Sequence, residues 1–146
     1  MNMNKLTMSA AVTALLLFGG VTLSWAKSSA KIRTVLSGSA IDGVTPVGKV
    51  EFRLDDKGRR KLEVDVENVN LPVGTKLTVV IMQGTTSLTL TPNQFALVAE
   101  PGAKGNQGEL EDETEEGATV PDLSKGNFTI QVNNGTATIL TGAINN

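Results

Sequence analysis

The chain has 146 residues with 13 basic and 15 acidic side chains, and it contains neither cysteine nor histidine. These absences exclude imidazole bases, Ser-His-Asp triads, thiol nucleophiles, disulfides and zinc sites built from cysteine and histidine. The slightly acidic balance argues against nucleic acid or an anionic membrane surface as the main partner, since both are bound by clustered lysine and arginine.

The first 26 residues have the pattern of a secretory signal peptide. Lys5 is the only charged residue before Lys27, and an apolar run extends from Ala10 to Val21. Ser24-Trp25-Ala26 then supplies the small residues that signal peptidase recognises. We therefore predict cleavage after residue 26 and release of the chain into the periplasm or the extracellular space, most simply in a bacterium, with no stable membrane insertion afterwards. The alternative is a retained anchor, since Ala10–Trp25 approaches, but does not clearly reach, the roughly 18–20 apolar residues that a bilayer span requires.

Residues 27–146 have the pattern of a single all-β domain. Apolar residues recur at every second position, and Gly, Pro, Asn and Asp interrupt them at short intervals. This alternation predicts one antiparallel β-sandwich of about 7–9 short strands. The clearest strand pair is Lys49–Leu54 with Arg60–Val66, joined by a turn at Asp55–Gly58.

The middle of the domain predicts three further strands and one loop. Thr75–Met82 is apolar on both faces, which is typical of a strand that lies inside a sheet or is covered on both sides. Ser87–Thr91 and Gln94–Glu100 are two shorter predicted strands. Residues 101–108 contain three glycines and a proline, and this composition predicts a flexible loop.

The C-terminal third predicts a hairpin, with strands at Phe128–Val132 and Thr136–Leu140 and a turn at Asn134-Gly135. Thr34–Gly38 near the start of the domain is similar to Thr138–Gly142 near its end. The likeness suggests that the first and last strands are neighbours.

The most unusual segment is 109–116, in which six of eight residues are acidic and none is basic. In a strand, its alternate glutamates would share one face at a spacing of about 6.6–6.8 Å. The simplest interpretation is a solvated edge strand whose charge discourages aggregation. The alternatives are a calcium site and a docking surface for a basic partner. The candidate calcium ligands are Glu109, Glu111, Asp112, Glu113 and Glu115, and the candidate partner-binding residues are the four glutamates of that set.

A series of turn and strand motifs extends over nearly the whole domain. They are Leu36-Ser37-Gly38, Pro46, Gly48, Arg60–Val66, Leu71-Pro72, Gly74-Thr75, Gly108-Glu109-Leu110, Gly117–Pro121 and Ile139–Gly142. In this order the chain resembles small exported bacterial β-domains of uncharacterised function. The Leu-Ser-Gly start bears a weaker likeness to CHRD-type extracellular β-domains, whose typical histidines the chain lacks. Neither resemblance implies a catalytic or ligand-binding residue.

The same residues favour a non-catalytic function. After residue 26 the chain has three phenylalanines and no tyrosine or tryptophan. The alternation places Phe52 and Phe128 on the inward faces of their strands, where we expect them to belong to the core, so the chain has few aromatic platforms for stacking on sugars. We expect a structural, adhesive or accessory binding role toward a protein or an envelope component. One alternative is a subunit of a surface fibre, in which an exposed strand such as Thr136–Ala143 or Lys27–Val35 completes a neighbour's sheet. The enzyme alternative is a carboxylate-based hydrolase.

Overall fold

The computed structural model describes residues 28–90 and 95–146. The predicted signal peptide lies outside the described residues. Within them the chain forms eight strands and one 3-10 turn at Thr114–Glu116, which confirms the predicted all-β class. The strands are β1 (Ser28–Ser37), β2 (Val47–Asp55), β3 (Arg60–Val69), β4 (Thr78–Gln83), β5 (Thr86–Leu90), β6 (Asn106–Glu113), β7 (Phe128–Asn134) and β8 (Ala137–Ile144). None of the described residues belongs to a helix with the length and hydropathy of a membrane span.

The eight strands lie in one curled sheet in the order β5-β4-β7-β8-β1-β2-β3-β6. Every ladder is antiparallel. The predicted strand number is therefore correct, but the strands form one continuous hydrogen-bonded sheet where two stacked sheets were expected. The first and last strands, β1 and β8, are neighbours, as their sequence likeness suggested.

The join between β1 and β8 is the narrowest point of the sheet. Its register contains the single pair Ser37 and Thr141, and the hydroxyl of Thr34 adds a bond of 2.8 Å to the carbonyl of Ala143. Glycines on both strands permit the close approach. A Cβ added to Gly38 would lie 1.8 Å from the Ile139 carbonyl oxygen, and one added to Gly142 would lie 2.5 Å from the Val35 carbonyl oxygen.

A short segment, Phe95–Val98, connects the two ends of the sheet. The Leu77 N–H donates to the Phe95 carbonyl at 2.8 Å, on the side that leads into β4. On the other side, Val98 and Gln107 exchange two backbone bonds of 2.8 and 3.0 Å at the start of β6. The segment forms isolated bridges and not the strand predicted for 94–100, because it serves two partners over only four residues.

The core fills the concave side of the curled sheet. Inward side chains alternate with outward ones along every strand, as the pleat requires. Phe52, Phe95 and Phe128 are all buried, as expected for Phe52 and Phe128 from the alternation. Val120 and Leu123 are buried as well, so the segment between β6 and β7 also contributes to the core.

Several of the predicted boundaries differ from those in the structure. The strand predicted from Thr75 begins at Thr78, and the bridge of Lys76 to Ala96 precedes it. The loop predicted for 101–108 ends before Asn106, where β6 begins. The turn of the last hairpin lies at residues 135–136, one position later than predicted, because Asn134 pairs with Ala137.

The join between β1 and β8 gives the first testable prediction. Gly142→Ala places a methyl group against the Val35 carbonyl and the Leu36 side chain, where the added atom has no room. We expect the free energy of unfolding to fall by about 1–3 kcal/mol, the usual cost of overpacking. Chemical denaturation measures the change, and Thr141→Ala, at an exposed neighbouring position, serves as the control. Equal stability of the two variants would contradict this account of the join.

Candidate functional site

The charged residues of the sheet are confined to one half of it. Strands β1, β2, β3 and β6 place alternate charged side chains on the convex side, and we call this surface the charged face. Its members are Lys31, Arg33, Lys49, Glu51, Arg53, Lys61, Glu63, Asp65, Glu67, Glu109, Glu111 and Glu113. The other four strands, β5, β4, β7 and β8, contain no charged residue. The boundary between the two halves coincides with the narrow join of β1 to β8.

Glu51 is the centre of the basic side of the charged face. Its carboxylate forms ion pairs with Arg33, Arg53 and Lys31, the last at 3.1 Å. Its side chain is only 12% exposed. Burial raises the pKa of Glu51, but the hydrogen bonds from the three cations outweigh it and lower the pKa to about 2. Glu51 is therefore a fixed negative charge that holds β1 and β2 together.

Lys61 is the corresponding central residue on the acidic side of the charged face. Its ammonium group lies 2.7 Å from a carboxylate oxygen of Glu111 and 3.2 Å from one of Glu113. Burial lowers the pKa of Lys61, but the bonds to these two glutamates more than offset it, so that the net shift is upward. The cross-strand pairs neutralise much of the repulsion that consecutive glutamates on β6 would otherwise produce.

The acidic residues of segment 109–116 therefore lie in several different environments. Strand β6 ends at Glu113, and Glu115 lies in the 3-10 turn, where it pairs with Arg59 at 2.7 Å. The prediction that Glu115 shares a face with the other glutamates is wrong, because the chain leaves the sheet before reaching it. Asp112 is on β6 but pairs with Leu62, on the side of the sheet opposite the charged face. Burial raises the pKa of the Asp112 carboxyl.

The carboxylate of Glu109 lies close to two carboxylates of β3. Carboxylate oxygens of Glu63, Asp65 and Glu109 lie within 4.8 Å of one another, and we call these residues the acidic triad. Lys49 compensates part of this charge, because its ammonium group is 3.2 Å from Asp65. Sequence reasoning missed Glu63 and Asp65 because they are distant from Glu109 along the chain. Their outward alternation in β3 was the available signal, but it does not reveal that β6 is the neighbouring strand.

An exposed apolar pair interrupts the charged face near the join. Val35 on β1 is 72% exposed and Val47 on β2 is 40% exposed. Both lie on the convex side, since Val35 is opposite Lys49 and Val47 is opposite Ser37. A shallow depression that includes Val35 is also lined by Arg33, Thr34, Lys49, Val50, Glu51 and Glu63. Protein-docking surfaces have an apolar centre and a polar rim, and the two valines with their charged neighbours follow this arrangement on a small scale.

Comparison with known proteins does not add a family to this description. No protein-family model, curated protein or solved structure matches the chain.

The low pKa of Glu51 predicts a pH dependence of stability. A carboxylate whose pKa is depressed by folding stabilises the protein above the unfolded pKa of about 4.5, and this contribution is lost as the pH falls toward about 2. We expect Glu51→Gln to lose stability at pH 7 and to show a weaker decline of the melting temperature between these pH values than the unsubstituted protein. Glu116→Gln, at an exposed position in the 3-10 turn, is the control. An unchanged acid profile in Glu51→Gln would show that the three cations do not stabilise the ionised form.

Proposed function

We propose that this chain is an exported, non-catalytic β-domain that acts as an accessory binding module for a protein or envelope component. The observation that carries the proposal is the exposed pair Val35 and Val47 within a surface of ordered charges. The signal-peptide pattern of residues 1–26 supports export. The resemblance to small exported bacterial β-domains supports the same interpretation.

The state of the carboxylates favours binding over catalysis. A carboxylate-based hydrolase requires one protonated and one ionised carboxyl group facing the same substrate. Glu51 has a pKa of about 2 and is surrounded by cations. The pKa of Asp112 is raised, but this residue is on the opposite side of the sheet from the charged face. Among the described residues, Glu51 and the carboxyl group whose pKa is raised therefore lie on opposite sides of the sheet.

The fibre alternative is limited by the sheet order of the described residues. Strands β1 and β8 are both internal in that order. Their shared ladder contains only Ser37 and Thr141, so residues 28–35 of β1 have a ladder partner on the β2 side alone. The strands at the two ends of the sheet order are β5 and β6, so pairing between molecules would use one of these strands or the first part of β1.

A second candidate function is the binding of a divalent cation by the acidic triad. The closeness of its three carboxylates favours this candidate over one that uses the other glutamates, since Glu111 and Glu113 are engaged by Lys61 and Glu115 by Arg59. Calcium prefers 6–8 oxygen ligands. Three carboxylates offer six oxygens, so Asp65 would have to release Lys49 for the ion to be fully coordinated.

The apolar pair gives a direct test of the binding function. Val35→Asp places a charge in the centre of the proposed docking surface, whereas Thr129→Asp places the same charge on the uncharged half. We expect capture of an envelope partner by the immobilised protein to fall about tenfold or more for Val35→Asp, with little change for Thr129→Asp. Crosslinking followed by mass spectrometry identifies the captured partner. Equal capture by both variants would exclude this surface.

The cation function makes a separate prediction. We expect calorimetric titration with calcium to release or absorb heat and to raise the melting temperature. Asp65→Asn should weaken binding roughly tenfold or more, because affinity depends on the charge of the ligand set. Glu116→Gln should leave it unchanged. Absence of heat and of a thermal shift in the unsubstituted protein would eliminate the metal site.

A further inference from the structure

Strand β5 is an edge of the sheet whose hydrogen-bonding groups alternate between two directions. It pairs with β4, and the turn between them has two residues, with Gln83 and Thr86 opposite each other. Residues that flank a two-residue hairpin turn exchange hydrogen bonds, and such pairs alternate with non-bonded ones along the ladder. The backbone groups of Thr86, Leu88 and Leu90 therefore point toward β4. Those of Ser87 and Thr89 point away from it, and no other described residue forms a backbone bond to them.

The two edges of the sheet differ in their protection against other strands. The β6 edge carries Glu109 and Glu111, both exposed, and such charges discourage the approach of another strand. The β5 edge has no such charged residues. No charged residue lies between Lys76 and Glu100, and β5 itself contains no proline. Thr86, Ser87 and Thr89 are exposed.

We propose that β5 is a dimerisation edge, which pairs in antiparallel orientation with β5 of a second copy of this chain about a twofold axis at Leu88. In this register Ser87 of each copy lies opposite Thr89 of the other. All outward-pointing backbone groups of these residues are then satisfied, since each such pair exchanges two bonds. Pairing of β5 with itself brings no like charges together, whereas pairing of β6 with itself would oppose glutamates.

The symmetry of this contact determines what assembly it forms. The same strand is used by both copies, so the contact closes on itself and stops at two subunits. It lies on the uncharged half of the sheet and leaves Val35, Val47 and the acidic triad free. The proposal therefore goes beyond the binding function above and does not depend on it.

Single cysteines test the register, because the chain has none of its own. In the proposed dimer Cα atoms of residues 87 and 89 on opposite copies are about 5.5 Å apart, within the range of a disulfide. Like positions are diagonal neighbours about 7–8 Å apart. Mixing Ser87→Cys with Thr89→Cys under mild oxidation should therefore give a crosslinked heterodimer, and each variant alone should crosslink at least severalfold less. Equal crosslinking in all three samples, or none in the mixture, would overturn the proposal.

Sedimentation of the protein obtained by expressing the full chain tests the assembly. We expect its mass to double as the concentration rises. The double variant Ser87→Lys/Thr89→Lys should remain monomeric, because it opposes positive charges across the axis. Thr138→Lys/Thr141→Lys adds the same charge to exposed positions on internal β8 and should dimerise like the unsubstituted protein. A monomer at every concentration would overturn the proposal, as would growth beyond two subunits, which indicates β5 pairing with β6. If the Ser87→Lys/Thr89→Lys variant does not fold, the cysteine crosslinking experiment decides whether β5 forms the dimer contact.

Discussion

The fold depends on the close approach of β1 and β8 at Gly38 and Gly142. Through this join, with its single ladder pair, the strands β1, β2, β3 and β6 on one side become continuous with β8, β7, β4 and β5 on the other. Side chains of any size at the two glycines would meet the backbone of the opposite strand. The chain has no disulfide to hold the halves together, so they are held by packing of the shared core, by this short contact and by the segment Phe95–Val98. Leu36 and Leu140, both fully buried, lie next to the two glycines and join the contact to the core.

The second connection, through Phe95–Val98, explains why the sheet curls. Its backbone bonds to the lead-in of β4 and to the start of β6 bring the two ends of the sheet order together. Phe95 and Leu97 of the segment are buried, so the same four residues supply both hydrogen bonds and core. Beyond this segment β5 and β6 remain as separate edges, one neutral and one acidic. The sheet edges available for binding are therefore determined by where the segment Phe95–Val98 closes the curled sheet and where β5 and β6 remain as edges.

Local patterns in the sequence predicted much of the fold. Alternation located the β2–β3 hairpin and identified Phe52 and Phe128 as core, because burial on one face of a strand leaves a period of two. The likeness of Thr34–Gly38 to Thr138–Gly142 indicated neighbouring strands and contained both glycines of the join. The prediction that Phe95–Val98 is part of a strand is wrong. Its apolar residues also alternate, but the segment forms only isolated bridges.

The candidate site was harder to predict, because it depends on pairing between strands that are distant in sequence. The glutamates of 109–113 were visible as a group, but their partners Lys61, Glu63 and Asp65 follow from the β3–β6 register. The end of β6 had a local signal that was overlooked. Gly117 has a φ of 85° and its N–H bonds to the Thr114 carbonyl at 3.2 Å, which closes the 3-10 turn and removes Glu115 from the sheet.

The confinement of charge to one half of the sheet has a consequence for how the domain responds to its surroundings. At the ionic strength of a dilute buffer, the ion pairs of β1, β2, β3 and β6 act over distances of about 10 Å, and concentrated salt shortens this range to about 3 Å. The strands β4, β5, β7 and β8 carry no charges to be screened, and salts such as sulfate strengthen their apolar contacts. Such a salt therefore weakens the ion pairs of one half of the sheet and strengthens the apolar contacts of the other half. For the exported domain proposed above, the salt concentration of the external medium would therefore set the balance between these two halves.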